Sequence, residues 1–413
     1  AARDFAINYL TSCDENAILF TNGDNDTFPL WYAQEVEGVR PDVRVVNYML
    51  ASGDWYIHQM FEKMYDSPPL PFTLDKPDYT KGTNDVVLVQ PRDQITGHIE
   101  LDRLIEFINN PDAQLEMRDG RKMNYIPTKK VKITIDKQKV IESGLVPERM
   151  HDQIVSEIKW TIKKNYIYKN DLMFLDLLAT HDWQRPMYFA NPSSVSNLFG
   201  KDEYMHLEGM VYKLMPVKAK EYVNGMGGVN LKKSYDLLVN EFNWGRLNEP
   251  DVLVDRESYR NVMLPKNNYV RTAEGLMREN KADSAVKVAD RCLEVFPHEK
   301  ITFDFYMTPL ISVYFEAGED KKAKNLMRTI YERYSEDIDY YSSLDDEFFN
   351  YYQQDLTRAY SVLQQLSNTA RKYGAEELQK EISEEMDNKM KFLQQNMQQQ
   401  QRLQQQQRLP GGS

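Results

Sequence analysis

The chain has 413 residues, 41% hydrophobic and 28% charged, the balance of a folded protein too long for one ordinary core, so two or three domains are expected. Its 63 acidic residues against 51 basic ones give a net charge of -12, which excludes a nucleic-acid backbone as the expected partner because phosphate binding needs concentrated Lys and Arg. Cys13 and Cys292 are its two cysteines and lie far apart, so neither a disulfide framework nor a cysteine zinc site is supported.

Taken in chain order, residues 17 to 22, AILFTN, read as a short buried strand. In the following FPLWYAQEVEG, Leu30, Trp31, Ala33, Gln34 and Val36 recur at helical spacing, with Gly38 as the stop. RPDVRVVNYM reads as a second strand, and GDWYIHQMFEKMY as a helix capped by Asp54. Strand, helix, strand, helix is the pattern of a parallel sheet with right-handed crossovers. DVVLVQP, KVKITID and RPMYFANP are further strand candidates, and IELDRLIEFINN and DLMFLDLLATHDW further helices. Residues 1–195 are therefore expected to form an α/β domain with a mainly parallel sheet. Residues 196–260 read as an annex of that domain, with one or two edge strands in EYMHLEGMVYKLMPVK and a loop in EYVNGMGGVN.

From about residue 261 the period becomes helical. Two helix pairs are broken at ENKAD and EAGED, and Leu276 with Ala285 in the first pair is matched at the same interval by Tyr314 with Ala323 in the second. These segments resemble tetratricopeptide repeats, whose unit is about 34 residues. Ala285 and Ala323 stand where such a pair needs a small residue, and Pro297 closes the first unit, whereas the second has Ser335 there. A third pair over 345–392 is expected to cap the stack, which gives an all-α domain over 261–392. Residues 393–413 are a Gln-rich low-complexity tail, a frayed helix extension or disorder.

The stretch NGDND, between the first strand and the first amphipathic helix, is the main candidate site. Asp24 and Asp26 are one residue apart, so a tight turn can bring both carboxylates onto a divalent metal, as in the metal-nucleotide motif of one glycosyltransferase class. A second reading has Asn22, Asp24, Asn25 and Asp26 hydrogen-bonding sugar hydroxyls or a peptide, with Trp31 or Trp55 stacking on an apolar sugar face. The plain alternative is a turn at Gly23 with Asp26 or Thr27 capping the helix that begins at Phe28 and Pro29. Position favours a site: in an open parallel sheet ligands bind at the carboxyl ends of strands, where Asn22 to Asp26, Asn47, Asp54, Trp55, Asn191 and Ser193 are all expected to emerge. His58, and His181 with Asp182 and Arg185, read as capping and structural-turn residues. No G-x-S-x-G, Walker, G-x-G-x-x-G or H-E-x-x-H motif occurs, so hydrolase elbows, nucleotide triphosphatases, dinucleotide enzymes and zincins have no positive support.

The stretches AILFTNGDNDTFPLWYAQEVEGVRPDVRVVN, DWYI, WQRPMYFA, LEGMVYKLMPV, FNWG and NEPDV, in this order, resemble the soluble C-terminal region of the bacterial domain of unknown function 2723 family, membrane proteins similar to protein O-mannosyltransferases. The resemblance implies a polytopic N-terminal half of the lipid-linked-sugar glycosyltransferase type ahead of this region. The present chain would then sit on the extracytoplasmic, periplasmic side of a bacterial inner membrane. The catalytic acids of that class belong to the membrane half, so the resemblance assigns no catalytic residue here. The expected partners are a glycan or acceptor protein, a second protein met through the helical arm, and the membrane through the N-terminal half. The start AARDFAINYL, without an initiating Met, agrees with a piece of a longer protein, and no apolar run reaches the roughly 18 residues a membrane span needs.

Overall fold

The computed structural model describes residues 2–219 and 226–407, so the loop expected over 221–230 and the tail over 393–413 lie partly outside the described residues. The chain divides into two compact units, Ala1–Leu247 and Asn248–Ser413.

The first unit opens with helix α1 (Ala2–Ser12), followed by β1 (Ile18–Thr21), α2 (Phe28–Glu37), β2 (Arg44–Asn47) and α3 (Asp54–Met60). Every residue of β1 and β2 is buried, as strands covered on both faces require. Pro29 lies in the first turn of α2, where its missing N–H costs nothing. Gly38 ends that helix at φ 67°, with its N–H donated to the Gln34 carbonyl and that of Val39 to the Ala33 carbonyl. The cap of α3 is Gly53, not Asp54, which is the first helical residue, and the helix stops at Met60, short of the Tyr65 expected.

The chain then makes an excursion through β3 (Val86–Val89), β4 (Ile99–Glu100), α4 (Leu101–Ile108), β5 (Leu115–Glu116), β6 (Lys122–Met123), β7 (Tyr125–Ile126) and β8 (Lys130–Thr134). It continues through α5 (Lys137–Glu142), β9 (Glu157–Thr161), β10 (Tyr166–Tyr168), α6 (Lys169–Thr180) and β11 (Met187–Phe189). β12 (Met205–Glu208), β13 (Val211–Leu214), β14 (Gly228–Val229) and α7 (Leu231–Tyr235) complete the unit's labelled elements.

Among the described residues the main sheet has six strands in the order β14-β12-β13-β11-β1-β2. It is parallel at β1–β2, β1–β11 and β12–β14 and antiparallel at β11–β13 and β12–β13. The mainly parallel sheet expected from the sequence is thus found around β1, and the sheet as a whole is mixed. The strands in DVVLVQP and KVKITID do not join it: β3 lies in a three-stranded sheet β10-β3-β7, and β8 in another, β4-β8-β9.

Phe20 of β1, Phe189 of β11 and Phe174 of α6 knit one face of the main sheet to its helix, with Phe20 stacked on Phe189 at 5.2 Å and Phe174 edge-on to both. Full burial of each such ring is worth about 1.5–3 kcal/mol. β12 and β13 are interior strands, not the edge strands expected, and β14 forms the edge beyond them. Their polar residues are neutralised by partners far away in sequence. Lys213 donates to Asp14 at 2.5 Å and to the Leu145 carbonyl at 2.7 Å, and Lys233 of α7 bridges Asp14 and the buried Glu208 at 2.5 and 2.7 Å. Burial alone would raise the Asp14 carboxyl, but the two ammonium groups outweigh it and hold it well below the usual carboxylate range.

The second unit is helical: α8 (Arg256–Asn261), α9 (Met263–Arg278), α10 (Ala282–Val295), α11 (Thr308–Glu316), α12 (Asp320–Ser343), α13 (Asp346–Tyr351), α14 (Gln353–Lys372) and α15 (Glu376–Gln407). Ala285 and Ala323 are fully buried at the starts of α10 and α12, where a larger side chain would force the paired helices apart. Lys266 and Asp304 form a buried ion pair at 2.6 Å. Cys13 and Cys292 are both free and buried. No helix among the described residues is long and apolar enough to cross a membrane.

Candidate functional site

The main sheet places its candidate residues through strand order. β1 pairs with β2 on one side and β11 on the other, all three parallel, so the chain reverses its direction of travel across the sheet at β1. A crevice outside the carboxyl ends is the position such a switch point creates. The loop over Asn22 to Thr27, the segment after Asn47 and the turn at Asn191 to Ser193 all leave the sheet at this edge.

Most polar groups of the first loop hold the loop itself. The two carboxylate oxygens of Asp26 accept the backbone N–H groups of Asn22 at 2.9 Å and Gly23 at 2.8 Å. The carboxylate of exposed Asp24 accepts the N–H of exposed Asn25 at 3.0 Å, while the Asp24 carbonyl takes the N–H groups of Thr27 and Phe28 that open α2. Thr27 occupies the cap position of α2 without using its side chain as a cap. Its hydroxyl turns inward, donating to Thr21 at 2.8 Å and accepting the Asn47 amide at 2.9 Å. Asp26 and Thr27 therefore order the turn without capping the helix in the usual sense. Among the described residues no group of three or more His, Cys, Asp or Glu side chains is gathered as a metal site would gather them.

Buried Asn47 is a clamp. Its amide N–H groups reach Thr27 and the Gly23 carbonyl, and its side-chain oxygen accepts the N–H groups of Met49 and Leu50. It fixes the loop after β1 to the loop after β2, which leaves it little capacity for a ligand. Asn191 accepts the Ser193 N–H at 3.0 Å and caps the short turn Pro192–Val195.

Trp31 and Trp55 come together in a cleft of about 400 Å³ beside β2, the edge strand of the main sheet. One wall is α2, with Phe28, Trp31, Gln34 and Glu35, and the other is α3, with Trp55, Tyr56, Gln59 and Met60. The rings form a chain: Phe28 stacks on Trp31 at 5.5 Å, Trp31 lies 6.5 Å from Tyr56, and Trp55 meets Tyr56 edge-on at 5.5 Å. Trp55 and Phe28 remain 56% and 53% exposed.

The far end of the cleft is closed by the two-residue turn Tyr65-Asp66, whose flanking Met64 and Ser67 exchange backbone hydrogen bonds at 3.0 and 2.9 Å. Tyr65 sits at φ 53°, a left-handed conformation unfavourable for a bulky side chain, and Glu35 raises the pKa of its phenol above the ordinary value. At the floor, the buried Arg44 guanidinium donates to Ser67 and to the carbonyls of Glu62, Ser67 and Pro68. It thereby holds the chain that follows α3.

Asp54 faces elsewhere, into a depression of about 500 Å³ with Met49, Lys81, Asp85, Tyr168 and Lys169. The N–H groups of Lys81 and Trp55 hold its carboxyl below the usual range. The structure therefore separates Asp54 from Trp55, which the sequence had grouped together. His58 faces the Lys76 carbonyl at 3.0 Å, and His181 the Arg185 carbonyl at 2.6 Å in a turn where Asp182 and Trp183 both have positive φ. Among the cleft residues that the sequence did not offer as ligand candidates are Phe28, Gln34, Tyr56 and Tyr65. The spacing of Phe28 to Trp31 and the adjacency of Trp55 and Tyr56 carry a trace of it, but only strand order shows that β2 is an edge.

A mixed α/β unit with an aromatic cleft at its sheet edge, followed in the chain by a helical unit, defines the class of protein. The chain belongs to the TMEM260-associated domain 2 family, whose model matches residues 2–233, a span that includes the main sheet, the crevice loops and the cleft. No curated protein and no solved structure matches it.

Proposed function

We propose that this chain is the extracytoplasmic portion of a membrane-bound glycosyltransferase of the lipid-linked-sugar type, and that its first unit holds the acceptor or glycan while the catalytic acids lie in a membrane half. The observation that carries this reading is the aromatic cleft between α2 and α3, which offers exposed Trp55 and Phe28 to a ligand beside an open sheet edge. It is supported by the family's tie to TMEM260, an O-mannosyltransferase-like protein, and by the resemblance to the domain of unknown function 2723 proteins, which also suggests a bacterial inner membrane with this portion in the periplasm. The paired helices of the second unit, similar to tetratricopeptide repeats, would meet a partner protein.

The test is a pair of measurements on the chain. Incubated with a polyprenyl-phosphate sugar and an acceptor peptide it should transfer no sugar, yet it should bind acceptor peptide or glycan by calorimetry, at least tenfold more weakly in Trp55→Ala. Transfer by the chain alone, or binding indifferent to Trp55, would overturn the reading. A second reading, a metal-dependent sugar- or phosphate-processing site, draws on the exposed carboxylate of Asp24 at the crevice. Saturable Mn²⁺ binding abolished in Asp24→Asn and Asp26→Asn would carry it.

A further inference from the structure

Three consecutive residues, Val43, Arg44 and Val45, line the cleft, whereas the face of a sheet would present alternate ones. The cleft therefore looks at the edge of β2. The ladder to β1 settles which groups point outward. Arg44 donates its N–H to the Ala17 carbonyl and Tyr48 to the Thr21 carbonyl, both at 2.8 Å, so residues 44, 46 and 48 turn their main-chain groups to β1. Val43, Val45 and Asn47 turn theirs away.

Two of these three positions are already covered. The Gln34 amide of α2 donates to the Val43 carbonyl at 2.8 Å, and the Tyr56 hydroxyl of α3 accepts the Asn47 N–H at 2.8 Å. Between these side-chain plugs the N–H and C=O of Val45 face the cleft. The side chains a sugar would use at this depth are committed: Gln34 also donates to the Arg40 carbonyl, Arg44 is spent on Ser67 and backbone carbonyls, and Tyr56 on Asn47. Apart from the exposed side chains of Glu35 and Gln59, the hydrogen-bonding surface that remains along β2 is main chain, and its natural complement is another main chain.

We propose that the α2–α3 cleft takes an extended polypeptide segment, which adds to the open edge of β2 as a short antiparallel strand with one residue exchanging both main-chain hydrogen bonds with Val45. An antiparallel partner suits the space, because a single residue pair there makes both bonds, while a parallel partner spreads them over two neighbours. Val46 packs in the same core as Tyr56, Ile57 and Met60 of α3, so Val45 looks to the opposite face, toward the α2 side. The ligand residue opposite Val45 then points toward the start of α2 at Phe28, and its two neighbours point to Tyr56, Gln59 and Met60, on the side of the core against which Trp31 packs. This selects apolar or aromatic side chains at three successive positions. Tyr65, on the turn between Met64 and Ser67 that lines the far end, limits the segment to a few residues.

The inference rests on the reading that this cleft holds the acceptor, and it chooses polypeptide over glycan. The full chain, ¹⁵N-labelled at valine and tryptophan, is titrated with three probes: a blocked heptapeptide alternating threonine and valine around a central phenylalanine, the same peptide methylated on every amide nitrogen, and α-linked mannobiose. The expected result is that the first peptide shifts the Val45 amide and the indoles of Trp31 and Trp55 and slows Val45 hydrogen exchange at least tenfold. The methylated peptide should leave them unchanged, and Trp55→Ala, an exposed position, should weaken binding at least tenfold. Equal binding of the methylated peptide, or indole shifts with an unaltered Val45 amide, would overturn it. Mannobiose moving the indoles while neither peptide does would overturn the peptide inference and leave the wider reading of the cleft standing. Silence of every cleft signal with all three probes would sink both.

Discussion

The hydroxyl oxygen of Tyr56 on α3 accepts the backbone N–H of Asn47 at 2.8 Å, so a side chain satisfies the sheet edge at the place where a further strand would begin. Replacing Tyr56 by Phe leaves that N–H buried without a partner, and urea unfolding should show a loss of about 1–2 kcal/mol. The same change opens a second pairing position next to Val45. Affinity for the blocked heptapeptide should therefore rise in Tyr56→Phe; a fall would show that the hydroxyl is needed by the ligand.

Asp24 and Asp26 should part company on mutation. Asp26 holds two backbone N–H groups of its loop, and Asp26→Ala should cost about 1–2 kcal/mol of stability. Asp24 is exposed and holds only the N–H of its neighbour, so Asp24→Ala should stay within about 0.5 kcal/mol. Equal losses in denaturant unfolding would contradict the division of labour drawn from the geometry.

His181 should make the protein acid-sensitive. Burial pushes its pKa down to about 4, against the partial help of the Arg185 carbonyl, while in the unfolded chain it titrates near 6.5. The unfolded state therefore binds the extra proton first as pH falls. The stability contribution is complete above about pH 6.5 and is lost between there and about pH 4. His181→Gln should flatten the stability profile in that window by up to about 1.4 kcal/mol per pH unit. Parallel profiles for variant and wild type at pH 7, 6 and 5 would show that His181 is not the group responsible.

In the helical unit, Asp304 is the counter-charge of the fully buried Lys266. Asp304→Ala strands that ammonium group and should cost about 3–5 kcal/mol, whereas Lys266→Met combined with Asp304→Leu should recover most of the loss. The comparison needs thermal or urea unfolding of the two variants side by side. A double variant no more stable than the single one would show that Asp304 matters through its other bond, to the Tyr306 N–H.

The start of the α/β unit was legible because its signals are local. An apolar run gives β1, helical spacing ended by Gly38 gives α2, and β2 follows within a few residues. The helix pairs around Ala285 and Ala323 were legible for the same reason. What the sequence hid depends on distant partners. EYMHLEGMVYKLMPVK reads as edge strands, and nothing near Glu208 or Lys213 announces that Asp14 and Lys233 will neutralise them inside the sheet. The strands at Val86 and Lys130 carry no mark of which sheet they enter. The candidate loop was placed at the correct edge of the sheet, but the grouping of Asp54 with Trp55 failed, since adjacent residues at a helix start point in different directions. The aromatic cleft was half visible, as two tryptophans without a place to meet.

Ile18, in the middle of the main sheet, pairs with Met187, far along the same unit. On the ribosome, β1, α2 and β2 are therefore complete long before β11 exists to cover the other side of β1. Throughout that interval the nascent sheet has two open edges, the transient one on β1 and the permanent one on β2. Arrival of β11 closes the first and delivers the stacking partner of Phe20 in the same step. Until β11 arrives, the buried-to-be edge of β1 is open to pairing with a stranger.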